Sequence, residues 1–158
     1  MSYFEDLKPG DRREIGSYSF TAENIAAFAR QFDPQPFYPD AEAGHVPTAG
    51  GESASGWHVC AAWMKAMVAD FTRAAAERTA RGETTAAPGP SPGFRDLKWL
   101  KPVLAGDTVT YAWDVLSTRT SESRPQWGLV NFFNTGVNQR GERVLSFEAT
   151  VFMPRRPR

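Results

Sequence analysis

Apolar residues recur at Ile25, Phe28, Ala29 and Phe32. This i, i+3, i+4, i+7 spacing predicts a helix with one buried face. Thr21 is its expected N-cap, and Glu23 sits in the first turn, where the helix dipole favours negative charge. Pro34 stops the helix, because the residue before a proline is driven out of the helical region. Asp33 therefore falls at a helix C-terminus. A longer helix is predicted from Trp57 to about Thr79. Trp57, Cys60, Ala61, Met64, Met67, Val68 and Phe71 form its apolar stripe, and small residues fill much of the rest. A helix apolar over so wide an arc is expected to be buried on more than one side. Beyond Phe71 the polar residues Arg73, Glu77, Arg78 and Arg81 carry it into solvent. Gly50, Gly51, Ser53, Ser55 and Gly56 precede it as a flexible, small-residue approach.

The second half alternates with a period of two, the mark of strands with one buried face. Val109, Tyr111, Trp113 and Val115 face one way from 108–118. Leu145, Phe147, Ala149, Val151 and Met153 do so from 145–153. The aromatic and β-branched segment 127–138 is a further strand, joined to the last by a hairpin turn at 139–142. Phe94–Leu100 and, more weakly, Arg13–Phe20 complete the set. The segment 82–93, with three prolines and three glycines, is expected to be a flexible loop, and the basic tail 154–158 to fray. The order strand, helix, long helix, four strands predicts an α+β fold in one domain over 1–158. In it an antiparallel sheet wraps the long helix.

Length and composition narrow the function. The 158 residues suit a single domain, and 13% are aromatic, which implies a large core or a sizeable apolar site. Eighteen basic and eighteen acidic residues cancel, so no basic excess points to nucleic acid. One cysteine, Cys60, allows no internal disulfide and no Cys-rich zinc site. With two unrelated histidines, His45 and His58, no metal site is expected. No apolar run approaches the roughly 20 residues that span a bilayer, and the first residues lack a signal-peptide core. A cytoplasmic protein with no membrane partner is expected.

Two stretches carry candidate chemistry. In Asp33-Pro34-Gln35-Pro36-Phe37-Tyr38-Pro39-Asp40, three prolines fix a turn that can present Asp33 as a base, with Gln35 orienting water or substrate. The same turn also reads as a helix stop capped by Asp33 and Asp40. In Gly50-Gly51-Glu52-Ser53-Ala54-Ser55-Gly56-Trp57-His58, glycines open the long helix, whose free N–H groups and dipole can stabilise a carbonyl oxygen gaining charge. A helix start that needs small residues only for packing is the alternative. Ser55, Trp57 and His58 are the neighbouring candidates for substrate contact. Cys60 and the methionines read first as core.

Together with Leu97-Lys98-Trp99-Leu100-Lys101-Pro102-Val103 and Gly106-Asp107-Thr108, these stretches resemble the MaoC-like acyl dehydratases, which include (R)-specific enoyl-CoA hydratases. The resemblance runs from about residue 5 to 153. It implies a hotdog fold, a homodimer, and reversible hydration of a 2-enoyl-CoA thioester, with coenzyme A as part of the substrate and no added cofactor. It assigns Asp33 to the family's catalytic aspartate and Gly56 to its oxyanion glycine, with Gln35 in place of an asparagine. Tyr38 stands where the family has a histidine, and Met64 where a serine is frequent. A phenol with a pKa of about 10 donates a hydrogen bond but is a poor base at neutral pH. A non-catalytic acyl-thioester-binding hotdog protein, or a hotdog thioesterase, are therefore the alternatives to a hydratase.

Overall fold

The computed structural model describes residues 3–35, 46–48 and 51–157. After a 3-10 turn at Phe4–Asp6 come β1 (Arg12–Ser19), α1 (Ala22–Phe32), β2 (Val46–Thr48), β3 (Gly51–Ser53) and α2 (Gly56–Ala80). The strands β4 (Gly93–Trp99), β5 (Thr108–Thr120), β6 (Trp127–Asn138) and β7 (Arg143–Pro154) follow. Five strands form one antiparallel sheet in the order β1-β5-β6-β7-β4. The predicted alternation sets its inner face: Val109, Tyr111, Trp113 and Val115 from β5 and Leu145, Phe147, Ala149 and Met153 from β7 are buried on either side of β6, while Val151 is only half-buried. α2, 25 residues long, lies across that face. Tyr111 fixes it there, because a buried phenol needs an acceptor and its hydroxyl donates to Val59 O at 3.0 Å. Burial pushes the Tyr111 pKa up, so it stays a donor.

α1 begins where the sequence indicates. The Thr21 hydroxyl accepts from Asn24 N–H at 3.2 Å, and Asn24 Oδ1 accepts from Thr21 N–H at 3.0 Å. This reciprocal cap satisfies two otherwise orphaned donors. Ile25, Ala26 and Ala29 are buried, but Phe32, expected on the same face, is 64% exposed at the helix end.

The expected stripe on α2 needs correction. Its buried residues are His58, Val59, Ala62, Met67 and Asp70, whereas Trp57, Met64 and Val68 are about half exposed. The sheet covers one face only. The helix is apolar nearly all round, so spacing alone did not say which face. The approach to α2, expected to be flexible, contains strand β3 paired with β2. The loop before β4 has no regular structure up to Gly93, yet it is tied to β7. Gly89 N–H donates to Phe152 O at 2.7 Å, and Ser91 Oγ donates to Thr150 O at 2.7 Å. The tail, expected to fray, is also held: Arg155 Nε and Arg156 N–H both donate to Glu5. No described helix is long and apolar enough to cross a membrane.

Candidate active site

The stretch 97–108 braces the start of α2. Ala54 N–H donates to Val103 O at 2.7 Å, and Ser53 bridges Leu104. The Trp99 indole N–H donates to Gly56 O at 2.9 Å. A Cβ at residue 56 would lie 2.5 Å from that indole, so glycine is required for the approach. Asp107 locks the brace. Its buried carboxylate accepts from Leu104 N–H, Gln139 and both Arg140 Nη atoms, at 2.7 to 3.2 Å. Burial alone would raise the Asp107 pKa, but these donors outweigh it and hold the group below the usual carboxylate value. One motif behind the family resemblance is thus a scaffold.

Ser55 caps α2, its hydroxyl accepting from Trp57 N–H at 3.2 Å. Gly56 is the first helical residue, so its N–H has no partner within the helix and sits at the positive end of the dipole. Trp57 is half exposed and meets Trp99 edge-on at 5.3 Å. His58 points inward. Phe28 of α1 stacks on it at 4.6 Å with an interplanar angle of 4°, and the Phe20 and Tyr18 rings pack edge-on. The Tyr18 hydroxyl lies 3.4 Å from His58 Nε2. Burial lowers the His58 pKa to about 4, so the ring is neutral at pH 7. In this position it is an anchor that docks α1 on the first turn of α2. Burial likewise raises the Cys60 pKa, which keeps it a thiol.

Asp33 is the C-cap of α1, five residues beyond the docked Phe28 and so roughly 7.5 Å further along the axis. Its N–H donates to Ala29 O at 3.0 Å, and Gln35 Nε2 donates to Asp33 Oδ1. Gln35 therefore orients the carboxylate, which is only partly buried. Tyr38, with Pro36, Phe37, Asp40 and His45, lies outside the described residues. Lys101 is paired with Glu142 at 2.6 Å. Among the described residues no group of three His, Cys, Asp or Glu side chains is placed to hold a metal.

A cavity of about 420 Å³ lies against α2 between Trp63 and Ala74, within the size range of small-molecule sites. Gly56, Trp63 and Asp70 are spaced seven apart and share one helix face. Trp63 follows Gly56 by roughly 10 Å along the axis. β4 runs back against this helix, so Trp99 meets Gly56 while Phe94 meets the cavity. Trp63, Met67, Trp113, Phe132 and Phe147 line it, and the Pro88–Ser91 segment closes one side. Asp70 also lines it, paired through Oδ1 with Arg13 at 2.8 Å and Arg73 at 2.6 Å. The sequence reading missed Trp63, Asn134 and Tyr18. Asn134 had a signal: it is polar at an inward position of β6, between Phe132 and Gly136.

A family model described as mesaconyl-CoA hydratase matches residues 67–158, more than half of the chain. A MaoC-like dehydratase from Rhodospirillum rubrum has a solved structure similar to this one, with a TM-score of 0.78, 34% identity and 100% of both chains covered. The chain belongs to the mesaconyl-CoA hydratase family and is MaoC-like. Its fold is the hotdog fold. A Mycobacterium tuberculosis protein described as having a double hotdog fold aligns at a TM-score of 0.68 and 17% identity, covering 99% of this chain and 45% of that one. A curated mesaconyl-CoA hydratase from Haloarcula marismortui is 37% identical over 65 residues. The match takes in 40% of this chain and spans only 18% of the length of that relative.

Proposed function

We propose that the protein is a hydratase that adds water reversibly across the double bond of a 2-enoyl-CoA thioester. In this reading the Asp33 carboxylate takes a proton from water, and the resulting hydroxide forms the C–O bond at C3 of the acyl group. The double-bond electrons move onto the thioester oxygen. Gly56 N–H and the α2 dipole stabilise that oxygen; as its charge returns, C2 takes the proton held by Asp33, which restores the carboxylate. Gln35 holds Asp33 in orientation, and Tyr38 donates a hydrogen bond to the water or thioester. Ser55 and Trp57 shape the approach, while His58 acts through its hold on α1. Coenzyme A is the carrier of the acyl group, no further cofactor takes part, and the setting is cytoplasmic.

The observation that carries this reading is the Phe28–His58 stack, which brings the helix ending in Asp33 onto the turn that starts with Gly56. The test is absorbance loss from trans-2-enoyl-CoA with the wild-type protein and Asp33→Asn. The wild type is expected to turn over. The variant is expected to lose about 10²–10⁴-fold in kcat while retaining acyl-CoA binding. Equal rates in both, or no turnover by the wild type on short, long or aromatic acyl groups, overturns it.

The reading includes a homodimer. β4 is a sheet edge with Phe94 60% and Trp99 47% exposed, and α2 leaves Trp57, Met64 and Val68 uncovered beside it. Natural sheets avoid such open edges. Light scattering is expected to give twice the chain mass, and a stable monomer contradicts this part.

A further inference from the structure

The cavity is walled mostly by α2 and the sheet. On one side the wall is instead Pro88–Ser91, a strap with no regular structure. In Pro88-Gly89-Pro90-Ser91-Pro92-Gly93 every second residue is a proline. Prolines hold the backbone extended and supply no N–H, so the strap is stiff yet offers few donors. It is fastened to β7 by Gly89 N–H donating to Phe152 O at 2.7 Å, Phe152 N–H to Pro90 O at 3.3 Å, and Ser91 Oγ to Thr150 O at 2.7 Å. Gly89 is needed for that fit. A Cβ there would lie 2.8 Å from the Trp127 ring, 3.0 Å from Phe152 Cβ and 3.1 Å from Phe152 O, and the last is backbone that cannot swing aside. Register on β7 fixes where the strap stands. Trp99, which touches Gly56, pairs with Leu145; Phe94, which lines the cavity, pairs with Ala149; Gly89 follows at Phe152. The seven residues from Leu145 to Phe152 span roughly 23 Å. The strap therefore flanks the end of the cavity remote from Gly56.

We propose that the strap is the wall that limits the length of the acyl group, with Gly89 and Ser91 as the specificity-determining residues that keep it seated; this rests on the acyl-thioester reading above. With the thioester at Gly56, a longer acyl group grows towards the strap, and one that reaches it can lengthen no further unless the strap leaves β7. One methylene too many in a closed apolar pocket costs about tenfold or more. The strap limits length alone, so an acyl group ending in a carboxylate meets the same wall as a plain one.

The test is calorimetry with saturated acyl-CoAs lengthened in two-carbon steps, in one plain series and one ending in a carboxylate. In whichever series binds, the wild type is expected to reach a limiting length and to bind the next member about tenfold or more weakly. Ser91→Ala removes one fastener and Gly89→Val unseats the strap. Both are checked for cooperative melting, and Ser91→Ala carries the test if Gly89→Val does not fold. Each is expected to move the limit to longer chains, Gly89→Val further, and to leave the shortest ligands unaffected. No limit in the wild type, a limit that stays or shortens in the variants, or an equal change at every length overturns the proposal. Saturated ligands make the outcome independent of hydration: a movable limit without enoyl turnover sinks the hydratase reading alone, turnover with a fixed limit sinks this one alone, and no binding at any length sinks both.

Discussion

His58 and Asn134 each bury a polar side-chain atom with no protein partner, but their surroundings differ. At His58, rings occupy the space: Phe28 covers one face while Phe20 and Tyr18 pack edge-on. The imidazole responds by staying neutral. Asn134 lies on the wall of a cavity of about 420 Å³, with its unpaired Oδ1 turned into the packing, as is Trp63 Nε1 nearby. An amide cannot escape its polarity by changing protonation state, so its burial carries a standing cost. The histidine avoids that cost by staying neutral and the amide bears it, so the two regions are expected to answer pH and substitution differently.

The largest change to stability is expected at the cavity wall. Trp63→Ala removes the ring that meets Phe147, and is expected to cost about 3 kcal/mol in urea unfolding. Trp63→Phe keeps most of that packing and costs much less, which separates the ring from its N–H.

The His58 cluster predicts a pH dependence of similar size. Its folded pKa of about 4 lies below the ordinary 6.5, so between these values the unfolded chain binds the extra proton. Stability is therefore full above about pH 6.5 and falls as pH drops towards 4, by about 3 kcal/mol. His58→Phe should flatten that interval of the unfolding profile. An unchanged profile would mean that the imidazole is not held neutral by this packing.

Asn134→Leu has the opposite sign. Removing a buried, unsatisfied amide is expected to stabilise the free protein by about 1 kcal/mol, read as a raised urea midpoint. A loss of several kcal/mol would show that the amide has a structural partner. Smallest of all, Phe32→Ser at the exposed end of α1 should change stability by less than about 0.5 kcal/mol, against about 3 kcal/mol for Ile25→Ala in the core.

The frame was legible in the sequence wherever period and boundary signals agreed. Thr21 and Pro34 bracket α1, and the alternations in β5 and β7 name most of their buried residues, missing Ala112, Val144 and Ser146 and overcounting Val151. α2 was legible in extent but not in orientation. Apolar side chains surround it, so the sheet alone decides that Val59 is covered and Val68 is not. The β2–β3 pair left no such signal, being three residues a side amid glycines. Asp33, Gln35 and Gly56 were visible from spacing and resemblance, whereas the docking that brings their helices together depends on Phe28, read only as core. Trp63 and Asn134 are far apart in the chain and meet through Phe147, a tertiary relation that no local window contains.

The most direct measurement is the structure of the protein with a saturated acyl-CoA bound. The account predicts the thioester oxygen within hydrogen-bond distance of Gly56 N–H, the Asp33 carboxylate facing C3, and the acyl tail running along α2 to Trp63 and Asn134. An acyl group bound elsewhere, or a thioester out of reach of both Asp33 and Gly56, would contradict it.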